Sequence, residues 1–171
     1  MGYKDMHEFV RVLEERQLLK RIKAEVDSDL EITEIADRVV KSGGPALLFE
    51  KIKGSAYPVL INAFGSYERL NLAFQVDAID DIAGQINGFM DMSSYMGLAN
   101  KIKSVPKLAR LAKVFPWKVK SAPCQEVAEE PDLSALPILK CWPGDGGRFV
   151  TLPLVITRDP ETGGQNMGMY R

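Results

Sequence analysis

Six of the ten prolines lie beyond Phe115-Pro116-Trp117. A proline inside a helix removes a backbone donor and clashes with the turn before it, at a cost of about 3 kcal/mol. The last third of this chain therefore cannot be assembled from ordinary helices. The same stretch carries Gly-rich turns and strand-like runs at 124–127, 150–157 and 166–171, with one short helical turn near 132–136. That pattern predicts the start of a β domain over 116–171, after a domain of a different kind over 1–115.

The first part alternates helix and strand. Asp5 followed by Glu8 is a capping-box arrangement, and Met6, Phe9, Val10 and Leu13 recur at helical spacing, which predicts a helix over 5–16. Ile22, Ala24 and Val26 then alternate with Arg21, Lys23 and Glu25, the period of a half-buried strand. Asp29 is placed to cap a second helix whose Ile32, Ile35, Ala36, Val39 and Val40 face inward, and Gly43 supplies its left-handed end. Residues 46–49 and 58–61 are short apolar runs suited to buried strands. From 66 to 112 the pattern is helical, with Ser66, Asp77 and Ser93 as caps, Gly84, Gly88 and Gly97 as interruptions, and Pro106 opening a short helix over 107–114. The expectation for 1–115 is an α/β (α+β) domain.

Charge and cysteines exclude whole classes of function. Twenty-two basic and twenty-three acidic residues are interspersed, so no polybasic face exists for nucleic acid or anionic lipid. Cys124 and Cys141 form no Cys-x-x-Cys pair and have no clustered histidines, which argues against structural zinc and against a disulfide scaffold. Charged residues in the first turns exclude a secretory leader, and no run approaches the roughly 18 apolar residues of a membrane span. A cytoplasmic protein is expected.

Within 116–171 one turn has a mechanism. In Asp159-Pro160-Glu161-Thr162-Gly163-Gly164, Pro160 presets a dihedral and the two glycines supply positive φ, so the flanking runs should pair as a hairpin. Gly144-Asp145-Gly146-Gly147 neither follows a clear strand nor opens a helix, so it reads as a tight turn rather than a phosphate loop. His7 reads as a surface or capping histidine, and both cysteines as small buried residues with no base to activate them. Asp80-Asp81 reads as a helix first turn and Glu129-Glu130 as a solvated loop. Taken alone, Asn166 and Arg171 are a polar turn exit and a strand-end cation.

The Trp142-Pro143-Gly144-Asp145 loop and the closing Asn166-Met167-Gly168-Met169-Tyr170-Arg171 change that weighting. Together with Asp29-Leu30-Glu31-Ile32-Thr33-Glu34-Ile35-Ala36-Asp37-Arg38, Gly43-Gly44-Pro45-Ala46-Leu47-Leu48-Phe49-Glu50 and Pro123-Cys124-Gln125-Glu126-Val127, they resemble, in order, the UbiD-like (3-octaprenyl-4-hydroxybenzoate carboxy-lyase) decarboxylases. The resemblance spans nearly the whole chain and implies an N-terminal portion of such an enzyme. It further implies that 116–171 opens a split β-barrel of flavin-reductase type.

The resemblance also implies roles. The position of Asn166 is a ligand of the divalent metal, usually manganese, that joins protein to the phosphate of prenylated FMN. Met169, Tyr170 and Arg171 line that cofactor, and Arg171 is a catalytic residue beside the reacting carboxylate. An amide oxygen is a hard neutral ligand suited to manganese, and a guanidinium grips a carboxylate at two points. The family's other metal ligands, a histidine and a glutamate, fall beyond Arg171. The implied reaction is a non-oxidative, reversible decarboxylation of aromatic or α,β-unsaturated carboxylic acids, with a flavin prenyltransferase as cofactor supplier and a homo-oligomer as the assembly. Two other classes stay open: a non-catalytic module that folds and associates without cofactor, and a plain FMN-binding or flavin-reductase-like protein. One geometric expectation follows. Five residues of regular strand would put Asn166 and Arg171 on opposite faces, so a bulge or bend is expected at Gly168.

Overall fold

The computed structural model describes residues 2–90 and 119–170. They fall into two compact units, one of Met1–Gln75 with Asp132–Arg171 and one of Val76–Pro131. The expected cap Ser93, the break at Gly97 and the short helix opened by Pro106 lie outside the described residues.

The first unit is a three-stranded sheet between helices. Its elements run α1 (Met6–Glu15), β1 (Leu19–Val26), α2 (Glu31–Lys41), β2 (Ala46–Ile52), β3 (Val59–Ile61) and α3 (Tyr67–Phe74). The sheet order is β1-β2-β3, with β1 and β2 parallel across the α2 crossover and β3 antiparallel to β2. Residues 46–49 read as a continuous apolar run because β2 is covered on both sides. Leu47 and Phe49 pack with Val26, Ile32 and Ile52 under α2, while Ala46 packs with Phe9 and Leu13 of α1.

Local chemistry sets the helix ends. The Glu8 amide donates to Asp5 Oδ1 at 2.9 Å and the Lys4 amide to Glu8 Oε2 at 2.6 Å, so the Asp5–Glu8 pair opens α1 as its spacing predicts. Gly43, at φ 68°, ends α2, and the Gly43 and Gly44 amides donate to the carbonyls of Val40 and Val39. Ser66 caps α3 by accepting from the Arg69 amide.

Three expectations for this unit are corrected. Asp29 does not cap α2. The residue before the helix is Leu30, at φ 67°, and the Glu31 carboxylate takes the Asp27 amide instead. The strict alternation of β1 fails at Ala24, which is exposed, because the register with β2 shifts between Ile22 and Glu25. Val40 is half exposed rather than inward-facing.

The chain returns to the first unit at residue 132. A 3₁₀ turn, Leu133–Ala135, precedes an extended segment that bridges Asp29 through Lys140, and then come β4 (Leu154–Arg158) and β5 (Gln165–Met169). These two form the expected antiparallel hairpin. Asp159 holds its turn: the Asp159 amide donates to Gly164 O at 2.9 Å, its carboxylate accepts from the Glu161 and Thr162 amides, and Gly163 takes φ 70°. Of the two glycines, Gly163 alone has positive φ.

The second unit contains α4 (Asp80–Met90), whose first turn carries Asp80 and Asp81 as expected, and a 3₁₀ turn, Pro123–Gln125. That turn replaces the strand expected at 124–127, since Pro123 sits at its start and lacks a ladder donor. Cys124 is exposed there, against the expectation of a buried thiol, and Cys141 is partly buried.

Candidate cofactor-binding face

The Trp142 loop is fastened to the start of α2. The Leu30 amide donates to Lys140 O at 3.1 Å, Lys140 returns a bond to Ser28 O at 3.1 Å, and Thr33 Oγ1 donates to Cys141 O at 3.1 Å. These contacts hold Leu30 at its positive φ of 67°, which a residue with a Cβ does not otherwise favour. Arg148 adds a third fastening, with Nη1 donating to Ser28 Oγ at 2.7 Å and to Ile138 O at 2.8 Å, while Nη2 lies 3.8 Å from Asp29. The turn at Gly144 is closed by the Asp145 amide on Trp142 O and the Trp142 amide on Asp145 Oδ2, at 3.0 and 3.1 Å. It is the tight turn expected, though β4 begins at Leu154 rather than 150.

The hairpin presents the residues singled out in the sequence. Its register pairs Leu154 with Met169, Val155 with Gly168, Ile156 with Met167 and Thr157 with Asn166, without a shift. The bulge expected at Gly168 is therefore absent. Strand alternation puts Val155, Thr157, Asn166 and Gly168 on one face and Leu154, Ile156, Met167 and Met169 on the other. The glycine has a different use: a Cβ at 168 would lie 2.5 Å from the Tyr170 ring and 2.8 Å from its hydroxyl oxygen. The bare backbone is where that ring lies down.

Asn166, Thr157 and the Tyr170 phenol thus share one exposed face, while Met169 looks out from the reverse side. Arg171 lies outside the described residues. The Asn166 amide oxygen and the Thr157 hydroxyl are hard neutral oxygen donors of the type manganese takes, and the Tyr170 ring covers the backbone at Gly168. These donors are all neutral, so they supply part of a cation's oxygen shell and none of its balancing charge. Among the described residues no group of three His, Cys, Asp or Glu side chains is placed to hold a metal by itself.

Polar clusters elsewhere in this unit are internally balanced. Arg21 pairs with both Glu14 and Glu50, and these contacts raise its pKa, the Glu14 bond most of all. His7 lines the cleft of about 470 Å³ beside that cluster, against apolar Val10 and Leu60. A more polar cleft of about 550 Å³ holds Lys53, Ser28 and Arg148, where Asp27 and Asp29 answer the two cations. Sequence periodicity missed Arg69, which is 3% exposed. Its Nη1 donates to Gly44 O at 3.3 Å, while Asn62 Nδ2 donates to Pro45 O at 2.9 Å, so the two tie α3 and the end of β3 to the turn before β2. Burial lowers the Arg69 pKa.

Comparison with known proteins decides the family. Residues 10–86 match the 3-octaprenyl-4-hydroxybenzoate carboxy-lyase N-terminal domain, and 117–171 match the Rift-related domain of the same carboxy-lyases. The chain belongs to the UbiD family. An uncharacterised protein of Archaeoglobus fulgidus is 47% identical over 173 residues, covering all of this chain and 35% of its own length. Another, from Aquifex aeolicus, is 44% identical over all of this chain and 36% of its own. The chain thus spans about a third of the length of these UbiD relatives.

Solved UbiD-class structures agree. An evolved dimeric form of HmfF from Pelotomaculum thermopropionicum, in complex with prFMN, is 26% identical with a TM-score of 0.68, covering 98% of this chain and 35% of that one. The open form of Sedimentibacter hydroxybenzoicus vanillic acid decarboxylase with a truncated companion chain is 29% identical with a TM-score of 0.71, covering 99% and 36%. Among the described residues no helix is long and apolar enough to cross a membrane.

Proposed function

We propose that this chain supplies the N-terminal domain and one cofactor wall of a prenylated-FMN-dependent decarboxylase acting, without net oxidation and reversibly, on aromatic or α,β-unsaturated carboxylic acids. The observation that carries the reading is the match of residues 117–171 to the Rift-related domain of the 3-octaprenyl-4-hydroxybenzoate carboxy-lyases, with Asn166 and the Tyr170 ring on one face of the hairpin. Residues 1–115 form the N-terminal domain and 116–171 open a split β-barrel. Asn166 presents its amide oxygen to a manganese ion, Tyr170 borders the flavin from the same face, and Arg171 grips the substrate carboxylate, while Met169, on the reverse face of β5, is not carried into this wall. The cofactor, when bound, supplies the electron sink for loss of carbon dioxide. This chain's residues contribute orientation, exclusion of water and a fixed charge. The protein acts in the cytoplasm as a homo-oligomer and takes its cofactor from a flavin prenyltransferase.

The reading is tested in a hybrid in which residues 1–171 replace the matching third of the Archaeoglobus relative, coexpressed with a flavin prenyltransferase. Flavin absorbance and stoichiometric manganese are expected in the purified hybrid, and Asn166→Ala should lose the metal. A folded hybrid without flavin would favour the module that associates without cofactor. The 171-residue chain alone should release no carbon dioxide from any aromatic acid and bind manganese no tighter than the millimolar range.

A further inference from the structure

We propose that the start of α3, apart from the hairpin, is an oxyanion site in which the Arg69 guanidinium pairs with a phosphate or carboxylate group. Arg69 is 3% exposed, yet among the described residues no carboxylate bonds to it. Its Nη1 has one neutral acceptor, Gly44 O at 3.3 Å, and its Nε is buried with no hydrogen-bond partner. Glu68, the next residue, acts on it through space without bonding it. A cation withdrawn from water and answered by one long bond to a carbonyl is under-compensated, because a buried charge is stable only when it is paired and hydrogen-bonded.

The surroundings of that guanidinium suit an oxyanion. Nη2 lies 3.1 Å from where a Cβ on Gly65 would stand, and the same Cβ would fall 1.7 Å from Asn62 Oδ1, so position 65 has to be glycine. Gly65 is exposed, and the chain there passes the guanidinium with no side chain to seal it. Gly65 is also the last residue before Ser66, the cap of the eight-residue α3. Ser66 Oγ takes the Arg69 amide, which leaves the amides of exposed Tyr67 and Glu68 as first-turn donors that no carbonyl of the helix can reach. Two free amides, the positive end of a helix and a guanidinium nitrogen lie together at 65–69, the donor set that phosphate and carboxylate groups take. Bare backbone at Gly65 lets such a group come close. The guanidinium is already out of water and held at Gly44 O, so little ordering opposes the contact. The Glu68 carboxylate repels the same ligand, and that repulsion gives the site a signature.

The test titrates the isotope-labelled 171-residue chain with sodium phosphate, sodium acetate and sodium chloride at matched ionic strength and pH, following the backbone amides of 65–70 and the Arg69 Nε–H by NMR. Phosphate or acetate should shift the Tyr67 and Glu68 amides saturably while chloride does not, and the tighter of the two names the group that the site takes. Glu68→Gln, which removes the repelling charge at an exposed position, should tighten binding about 2- to 5-fold. Arg69→Gln should weaken it roughly 10-fold or more, the loss of a charge-assisted hydrogen bond. If Arg69→Gln does not fold, Glu68→Gln decides by itself. Shifts no larger than those of chloride, shifts centred elsewhere in the chain, or an affinity that Glu68→Gln leaves unchanged would each overturn the site.

Discussion

Arg148 Nη1 donates to Ser28 Oγ at 2.7 Å across a sequence separation of 120 residues. Ser28 is 6% exposed, so its hydroxyl has little water to fall back on when the guanidinium is removed. Arg148→Ala should lower unfolding stability by roughly 1.5–3 kcal/mol, toward the smaller figure because the arginine is itself partly exposed. Arg148→Lys should recover only part, since one ammonium cannot reach Ser28, Ile138 and Asp29 in the same fork geometry. Urea midpoints of the three proteins check this, and equal midpoints would refute the role.

The hairpin turn should loosen in acid. The Asp159 carboxylate is held below the usual aspartate range, chiefly by the Glu161 amide and then by Thr162. A depressed carboxylate contributes stability above its unfolded value and loses it as pH falls through the folded one. Hydrogen exchange at Gly163 should therefore accelerate as pH drops below about 4, relative to intrinsic exchange. Asp159→Asn should flatten that dependence.

Phe49→Ala should be among the most damaging core changes. Its side chain is fully buried between β2 and α2, with Ile32 and Leu47 against it. A loss of about 3–5 kcal/mol is expected, or a fall in Tm of roughly 6–20 °C for a chain of this size. Val40→Ala, on the exposed side of α2, should stay within about 0.5 kcal/mol. Calorimetric melts of both variants make the comparison.

Self-association should run through the reverse face of the hairpin. Leu154, Ile156, Met167 and Met169 are 66%, 62%, 61% and 63% exposed, a contiguous apolar strip on a two-stranded ribbon with open edges. Light scattering should report dimers or larger species for the parent chain and a monomer for Ile156→Lys. A monomeric parent with the hairpin ordered would count against this.

What was legible in the sequence was local. The Asp5–Glu8 box, Gly43, the Ser66 cap and the Asp159–Gly164 turn all satisfy backbone groups within a few residues, so spacing alone reveals them. What was hidden depends on chain that arrives later. Asp29 has the composition of a cap, yet Lys140 claims the backbone on either side of it, and the helix starts one residue on. The Ala24 irregularity follows from parallel pairing with β2 across a crossover, which no alternation pattern encodes. Gly168 was read correctly as special for the wrong reason: it accommodates a ring, not a bend. Met169 illustrates the limit at the site, since resemblance gathers it with Tyr170 while the strand turns it to the opposite face.

The first unit is discontinuous, with 56 residues of the second unit between Gln75 and Asp132. During synthesis at roughly 5–20 residues per second, the sheet with α1, α2 and α3 leaves the ribosome about 3–15 s before Lys140 and Arg148, which fasten Leu30 and Ser28. For those seconds the start of α2 has no partner for its left-handed residue, and a buried serine waits uncovered. A pause or a chaperone acting in that interval would meet a folded sheet with one specific unmade seam, and a synonymous change that slows translation between residues 76 and 131 would lengthen that exposure without altering a single side chain.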